Sequence, residues 1–388
     1  MWIMKSVICI VVIIMMATSS LMSAQTNCSS AYDSMTNTTK ESSSVRKNMD
    51  LGAGEQIISC LPDFAVMRSL RWLKKKQNQD GSWGDDIEEP KSLVTSIALL
   101  AFLCHGDTLD SPEFGSTIKR SLKYLLSTDV QTSSKAKLSC LAVEHGIRAR
   151  VLCEVYAMTG NSFVLSVCTN ALNVIIAAQR PSGLWNMQYS IKVGQDDAEA
   201  SCWQMMALRS AIISGIKIDG LRPALIAGGK GMLNIIQDDT VNNTNVLAVL
   251  CIQLAGLWHG SIRRTNMDAL NFIPVDWDKP KCSRPVCHWY FMTQALFREG
   301  GTAWRRWHTG FSPQLVQKQS IVRKAVKIEC RENEAYFDIG YWDSPGSNEH
   351  YGRIYSTSLC CLMLEVYYSF RSFFMVVPED DDIGLDLE

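Results

Sequence analysis

Two neighbouring acids are the clearest candidates for moving a proton: Asp196 and Asp197, in Gly194-Gln195-Asp196-Asp197, just ahead of a helix read over 198–214. A carboxylic acid held protonated by its surroundings can serve as a general acid. The same acids have a simpler reading, because an aspartate ahead of a helix accepts hydrogen bonds from its first-turn amides. Among eleven tryptophans and eleven tyrosines, Trp185, Tyr189, Trp203, Trp289, Tyr290 and Trp342 stand on helices or at helix ends where they could face a ligand. Trp203 and Tyr290 are the strongest of these, although aromatics at helical spacing also build cores.

Other chemistries find less support. The six histidines, His105, His145, His259, His288, His308 and His350, show no metal-ligand spacing, and neither a metal nor a cofactor is expected. His145, which precedes a glycine in a helix entry, reads as a structural polar contact. Most of the fourteen cysteines sit in apolar helical patterns, as Cys104, Cys153 and the Cys360-Cys361 pair do, and read as small hydrophobes. Cys282 and Cys287, in KCSRPVCHW, would suit a disulfide or two ligands of a metal. With 38 basic against 39 acidic residues there is no excess charge to neutralise phosphates, which argues against a nucleic-acid partner. Lys74-Lys75-Lys76 and Arg305-Arg306 read as solvated helix faces, the lysines being also suited to anionic headgroups.

The elements that would position these residues are helical. From residue 64 onward the apolar period is that of helices, read over 64–77, 91–105, 115–126, 144–159, 163–179, 198–214, 222–237, 244–257, 285–299, 303–317 and 353–370, with no alternation long enough to argue for a sheet. Ahead of them, Lys5 followed by VICIVVIIMMA and a small-residue exit make residues 1–24 a signal peptide or signal anchor. Residues 25–63 are a Ser/Thr/Asn-rich tether and entry segment, 64–370 the folded body, and 371–388 an acidic tail containing Glu379-Asp380-Asp381-Asp382.

A signature recurs at helix ends. Gln77, Gly81 and Trp83 share their spacing with Gln179, Gly183 and Trp185, and a partial third copy has Gly340 and Trp342 with the glutamine upstream at Gln319. A helix ends near the glutamine, the glycine turns the chain, and the indole folds back over the junction. The glutamine amide either satisfies open carbonyls there or caps the next helix. Helix pairs joined in this way must stack to bury both faces.

Gln-x-x-x-Gly-x-Trp after a pair such as Trp72-Leu73 resembles the QW repeat of squalene and oxidosqualene cyclases and of protein prenyltransferase β subunits. Segments 144–161, 196–215, 287–307 and 352–370 are similar to the bacterial prenyltransferase and squalene-oxidase repeat proteins of that terpene cyclase superfamily. The resemblance spans about residues 64 to 370. It implies a single α/α toroid of about six helix pairs around a central cavity. If the chain is an enzyme, it implies a class II terpene cyclase-like isomerase or lyase with a carboxylic acid donor. By position Asp196 would be the donor and Asp197 its neighbour, but Gly194 replaces the leading aspartate of the Asp-x-Asp-Asp motif; in the repeat-protein branch the matching feature is an acid six residues before a tryptophan, here Asp197 before Trp203. One toroid also supplies only part of the wall that keeps water from a carbocation.

Two other resemblances lead nowhere. The zinc prenyltransferases need Asp, Cys and His ligands that this chain does not offer in a matching setting, and a cytosolic substrate that an export leader contradicts. Gly52-Ala53-Gly54-Glu55-Gln56 looks like a complement-type thioester motif, but Ala53 stands where the reactive cysteine belongs.

The expectation is an exported protein of the periplasm or cell envelope that binds or processes an isoprenoid-like hydrophobic molecule in the toroid cavity, with a membrane association through residues 1–24. The alternative is a non-catalytic α/α repeat scaffold whose partner is an envelope protein.

Overall fold

The computed structural model describes residues 51–84, 90–127, 141–192, 194–237, 244–266, 275–280, 284–328, 335–345 and 351–367. The expected leader, the first part of the tether and the acidic tail lie outside them. The described chain is mostly helical. Its helices are α1 (Leu51–Lys76), α2 (Lys91–Cys104), α3 (Gly115–Ser127), α4 (Leu141–Thr159), α5 (Ser162–Ala177), α6 (Ala198–Ile213), α7 (Leu221–Gln237), α8 (Thr244–Leu254), α9 (Gly260–Asn266), α10 (Pro285–Glu299), α11 (Gly301–Lys318) and α12 (Gly352–Leu364). The chain divides inside α1: residues through Phe64 form one compact unit and Ala65 onward another. Of the first unit only the start of α1 is described. That helix begins well ahead of the residue 64 read from the apolar period and runs through Pro62.

Sequence sorts the helices of the second unit into two kinds. In α2 every residue from Ser92 to Cys104 is buried, as are most residues of α6, α10 and α12, so these helices are enclosed on most sides. Several of their hydroxyls are satisfied by the preceding turn, as where Thr293 Oγ1 donates to the Trp289 carbonyl at 2.7 Å and Ser210 Oγ to that of Met206 at 2.8 Å. In α3, by contrast, Ile118, Leu122 and Leu125 form one buried stripe while Lys119, Arg120 and Lys123 lie off it, an amphipathic pattern that α5 repeats with Val164, Cys168, Leu172 and Ile175. The buried helices pack in sequence, α2 on α4, α4 on α6, α6 on α8, α8 on α10 and α10 on α12, and α12 packs on α2. The amphipathic helices α3, α5 and α11 lie on α2, α4 and α10, while α7 packs on both α6 and α8.

Three junctions share one geometry. The indole N–H of Trp83 donates to the Leu73 carbonyl at 2.7 Å, that of Trp185 to Ile175 at 2.7 Å, and that of Trp342 to Leu315 at 2.8 Å; in each case the acceptor lies one turn before the glutamine. Each tryptophan amide is received by a hydroxyl near the start of the following buried helix, from Thr95, Ser201 and Thr357. The glutamines choose carbonyls over amides. Gln77 Nε2 donates to Gly81 and Thr117, Gln179 Nε2 to Gly183 and Ala224, and Gln319 Nε2 to Ala65 and the Ser69 hydroxyl. The glycine is obligatory at the first two junctions: Gly81 and Gly183 have φ of 92° and 84°, and a Cβ would lie 2.3 Å from the Arg120 carbonyl oxygen or 2.2 Å from that of Ala227.

A strand pair departs from the all-helical expectation. β1 (Ser320–Ile328) and β2 (Ala335–Tyr341) form an antiparallel ribbon inserted between Gln319 and Trp342. Pairing of Ser320 with Tyr341 and of Ile321 with Gly340 returns the chain to its starting point, so the third glutamine meets its glycine across the insertion. Period-two reading missed the ribbon because the register slips between Val322 and Val326, with Lys324 at φ 50°, which breaks the alternation. The short polar α9 was missed as well. It is held by ion pairing of Arg263 with Glu299, which also accepts the Trp258 indole at 2.7 Å.

Candidate functional site

The expected acids occupy the entry to α6. Asp197 is its N-cap: Oδ1 accepts the Ala200 amide at 2.8 Å, and its own amide donates to the Trp185 carbonyl at 2.8 Å. Burial pushes its carboxyl up, the amide hydrogen bond opposing this. Asp196 Oδ1 pairs with Arg180 Nε at 2.8 Å. Arg180 also donates to the carbonyls of Ser190 and Gly194, so the loop leading to the acids is tied to the end of α5. Capping is therefore the role this geometry gives Asp197, and Asp196 is a loop anchor near the surface.

Trp185 and Trp342 are the junction indoles already described. Tyr189 sits in that loop at φ 54°, its hydroxyl donating to Gln204 Oε1 at 2.8 Å and lying 2.7 Å from His145 Nδ1. Since the phenol proton goes to Gln204, His145 bears its own proton on Nδ1. Burial, with Arg148 nearby, lowers the His145 pKa to about 4, so the ring is neutral at pH 7. His145 thus has the structural polar role its position suggested. Trp289 is buried and tilts against Trp277, with centroids 5.7 Å apart.

Trp203 and Tyr290 come together. Their rings stack at 5.6 Å and 14°, with Phe291 edge-on to both, and all three are buried. The Tyr290 hydroxyl accepts from Arg150 Nη1 at 2.8 Å, a bond from α4 to α10 across helices that do not pack side by side in the order above. One turn along α4 from Arg150, Glu154 is buried, and its pKa is raised by burial to about 7 although Arg150 opposes this. Towards the C-terminal ends of α6 and α10 lie Arg209 and Arg298. Burial lowers Arg298 to about 9, and repulsion from Arg209 and Arg150 adds to it. Near the α10 entry, Arg284 forms a two-pronged ion pair with Glu199 of α6, and Cys287 lies 3.6 Å from the same carboxylate and 3.8 Å from the Tyr355 hydroxyl. Cys282, the other half of the expected pair, is outside the described residues.

Chemically, this interior offers one carboxyl able to keep its proton near neutrality, several guanidiniums, and aromatic faces already in contact with one another. Among the described residues no three His, Cys, Asp or Glu side chains gather as for a metal ion, and no helix is long and apolar enough to cross a membrane. Sequence reading missed Arg150, Glu154, Glu199 and Arg284. Charged residues one turn apart at 150 and 154, inside the apolar helix ARVLCEVY, were the available signal.

In comparisons with known proteins, no family model matches the chain and no curated protein is significantly similar to it.

Proposed function

We propose that the chain is a terpene-cyclase-like α/α toroid acting as a non-catalytic repeat scaffold. In this reading α2, α4, α6, α8, α10 and α12 form a closed inner ring, since each packs on the next and α12 on α2, and Gln319 ties the last junction to α1. Residues 1–24 direct the chain to the periplasm or cell envelope and can hold it at the membrane, and its partner there is a protein. The observation that carries the scaffold reading is the Arg150–Tyr290 bond with Trp203 stacked upon it, because those side chains fill the space between helices where a substrate would lie. The spending of Asp197 as a helix cap supports it too.

A second reading keeps the hydrophobic, isoprenoid-like ligand, and the buried Glu154 carboxyl, with a pKa raised by burial to about 7 beside Arg150, favours it. One experiment separates them. Purified full-length protein is incubated with squalene and with a polyprenyl diphosphate, and solvent extracts are analysed by mass spectrometry. The scaffold reading expects no cyclised product and no stoichiometric apolar guest, together with one partner recovered by crosslinking in envelope fractions. A product that disappears in a folded Glu154→Gln variant would overturn it in favour of catalysis.

A further inference from the structure

One pair of cysteines meets in the interior without serving that function. Cys153 of α4 and Cys168 of α5 bring their sulfurs to 3.2 Å, fifteen residues apart in sequence. Both side chains are fully buried, and the pair joins two helices that pack together. Closing it to the bonded length of roughly 2 Å moves each sulfur by little more than half an ångström, which small side-chain rotations supply.

We propose that Cys153–Cys168 is a disulfide in the mature protein, stitching the buried helix α4 to its packed neighbour α5. The proposal rests on export only for its setting, since an oxidising compartment is where such bonds persist. The oxidant is a disulfide, either that of an envelope oxidoreductase or a small-molecule disulfide. One cysteine thiolate attacks it, forming a mixed disulfide and releasing one thiolate of the oxidant. The partner cysteine then displaces the second, so that two thiols of the chain become one disulfide and the oxidant becomes two thiols. Burial pushes the Cys153 thiol well up, as does the adjacent Cys168 sulfur, which leaves little thiolate in the folded state. The exchange therefore belongs to folding, before the sulfurs are enclosed, and the finished bond resists external reductant.

The test uses the full chain. It is reduced, unfolded, and refolded in a glutathione redox buffer, then alkylated under denaturing conditions and mapped by mass spectrometry without reduction. A linked peptide joining Cys153 to Cys168 is expected. Alkylation of both after refolding, or linkage of either to another cysteine, overturns the proposal. A Cys153→Ala variant should lose the linkage and melt about 5 °C or more below the oxidised protein. The same mapping on protein taken directly from cells reports on export separately. Linkage after refolding but free thiols in cells would overturn the disulfide of the mature protein and count against an oxidising location, while showing that the two cysteines can pair.

Discussion

The Gln-Gly-Trp junctions and the polar interior between α4, α6 and α10 are built on opposite plans. Each junction repeats the last: an indole on the carbonyl one turn before the glutamine, a hydroxyl from the next buried helix on the tryptophan amide, and a glutamine amide bridging two oxygens, both carbonyls at the first two junctions and a carbonyl and the Ser69 hydroxyl at the third. The interior centres on a contact that does not recur. Among the described residues the Arg150–Tyr290 hydrogen bond is the one that joins an arginine to a tyrosine hydroxyl. A repeated arrangement answers a repeated need, the joining of helix pairs, whereas a unique one answers a need that arises once. This contrast separates what holds the molecule together from what distinguishes it.

The largest effect that would test the junction half of this comparison comes from Gly183→Ala. Its Cβ would stand 2.2 Å from a backbone oxygen in a left-handed conformation, so the turn must open, at a cost of about 3 kcal/mol or more. Gly160→Ala is the control. It also has positive φ, 60°, but nothing lies within 4 Å, and a cost of about 1 kcal/mol is expected from backbone strain alone. Urea unfolding of the two variants checks both. Equal losses would mean that close approach at the junction is not what the glycine serves.

The interior should answer as a coupled unit. Arg150→Met leaves the Tyr290 hydroxyl buried without its donor and removes the one cation lowering the Glu154 pKa, for a loss of about 2 to 3 kcal/mol. Tyr290→Phe should cost about 1 to 2 kcal/mol, and the double variant less than the sum of the two. Strict additivity in a double-mutant cycle would show that the bond is incidental.

Glu154 makes the interior pH-dependent in a direction opposite to its histidines. Its folded pKa of about 7 lies above the ordinary 4.5, so its contribution to stability is whole below about pH 4.5 and is lost as pH rises through about 7. His145 and His288 are both lowered to about 4 by burial, so theirs is whole above 6.5 and lost as pH falls through 4. In Glu154→Gln, stability should stop declining between about pH 5 and 7.5, a gain of order 2 kcal/mol at the upper end relative to the parent. Urea midpoints across that range measure it, and parallel profiles for parent and variant would place the Glu154 proton elsewhere.

These two regions also differ in how far the sequence discloses them. Helix limits in 91–104, 115–127 and 285–299 were legible because enclosed and amphipathic helices leave distinct apolar patterns, and the junction glutamines because their spacing recurs. Even the displaced Gln319 was legible as a partner of Gly340, though the ribbon restoring their contact was not, its alternation being broken by the slip after Val322. The Arg150–Tyr290 bond spans 140 residues of sequence and occurs once, so no period or spacing announces it. Trp203 and Tyr290 were singled out for their type and their place on helices, Trp203 also by its spacing from Asp197. Their stacking on one another, which decides whether they face a guest, depends on which helices pack.

The smallest expected effect concerns the residue where sequence and structure are most easily weighed against each other. If Asp197 is only a cap, Asp197→Asn keeps an acceptor for the Ala200 amide and should change stability by no more than a few tenths of a kcal/mol, while Asp197→Ala removes it and should cost about 1 kcal/mol. An acid donor predicts a different pattern: asparagine and alanine would be equally damaging to turnover, because neither carries an exchangeable carboxyl proton. Thermal melts of the two variants beside the parent, with the extract assay run on the same samples, separate a loss that follows hydrogen bonding from one that follows acidity. The cap reading places Asp197 with the junctions, since its amide already reaches the Trp185 carbonyl. Its substitution should therefore add to that of Arg150, and a measured coupling between the two would join regions that the structure holds apart.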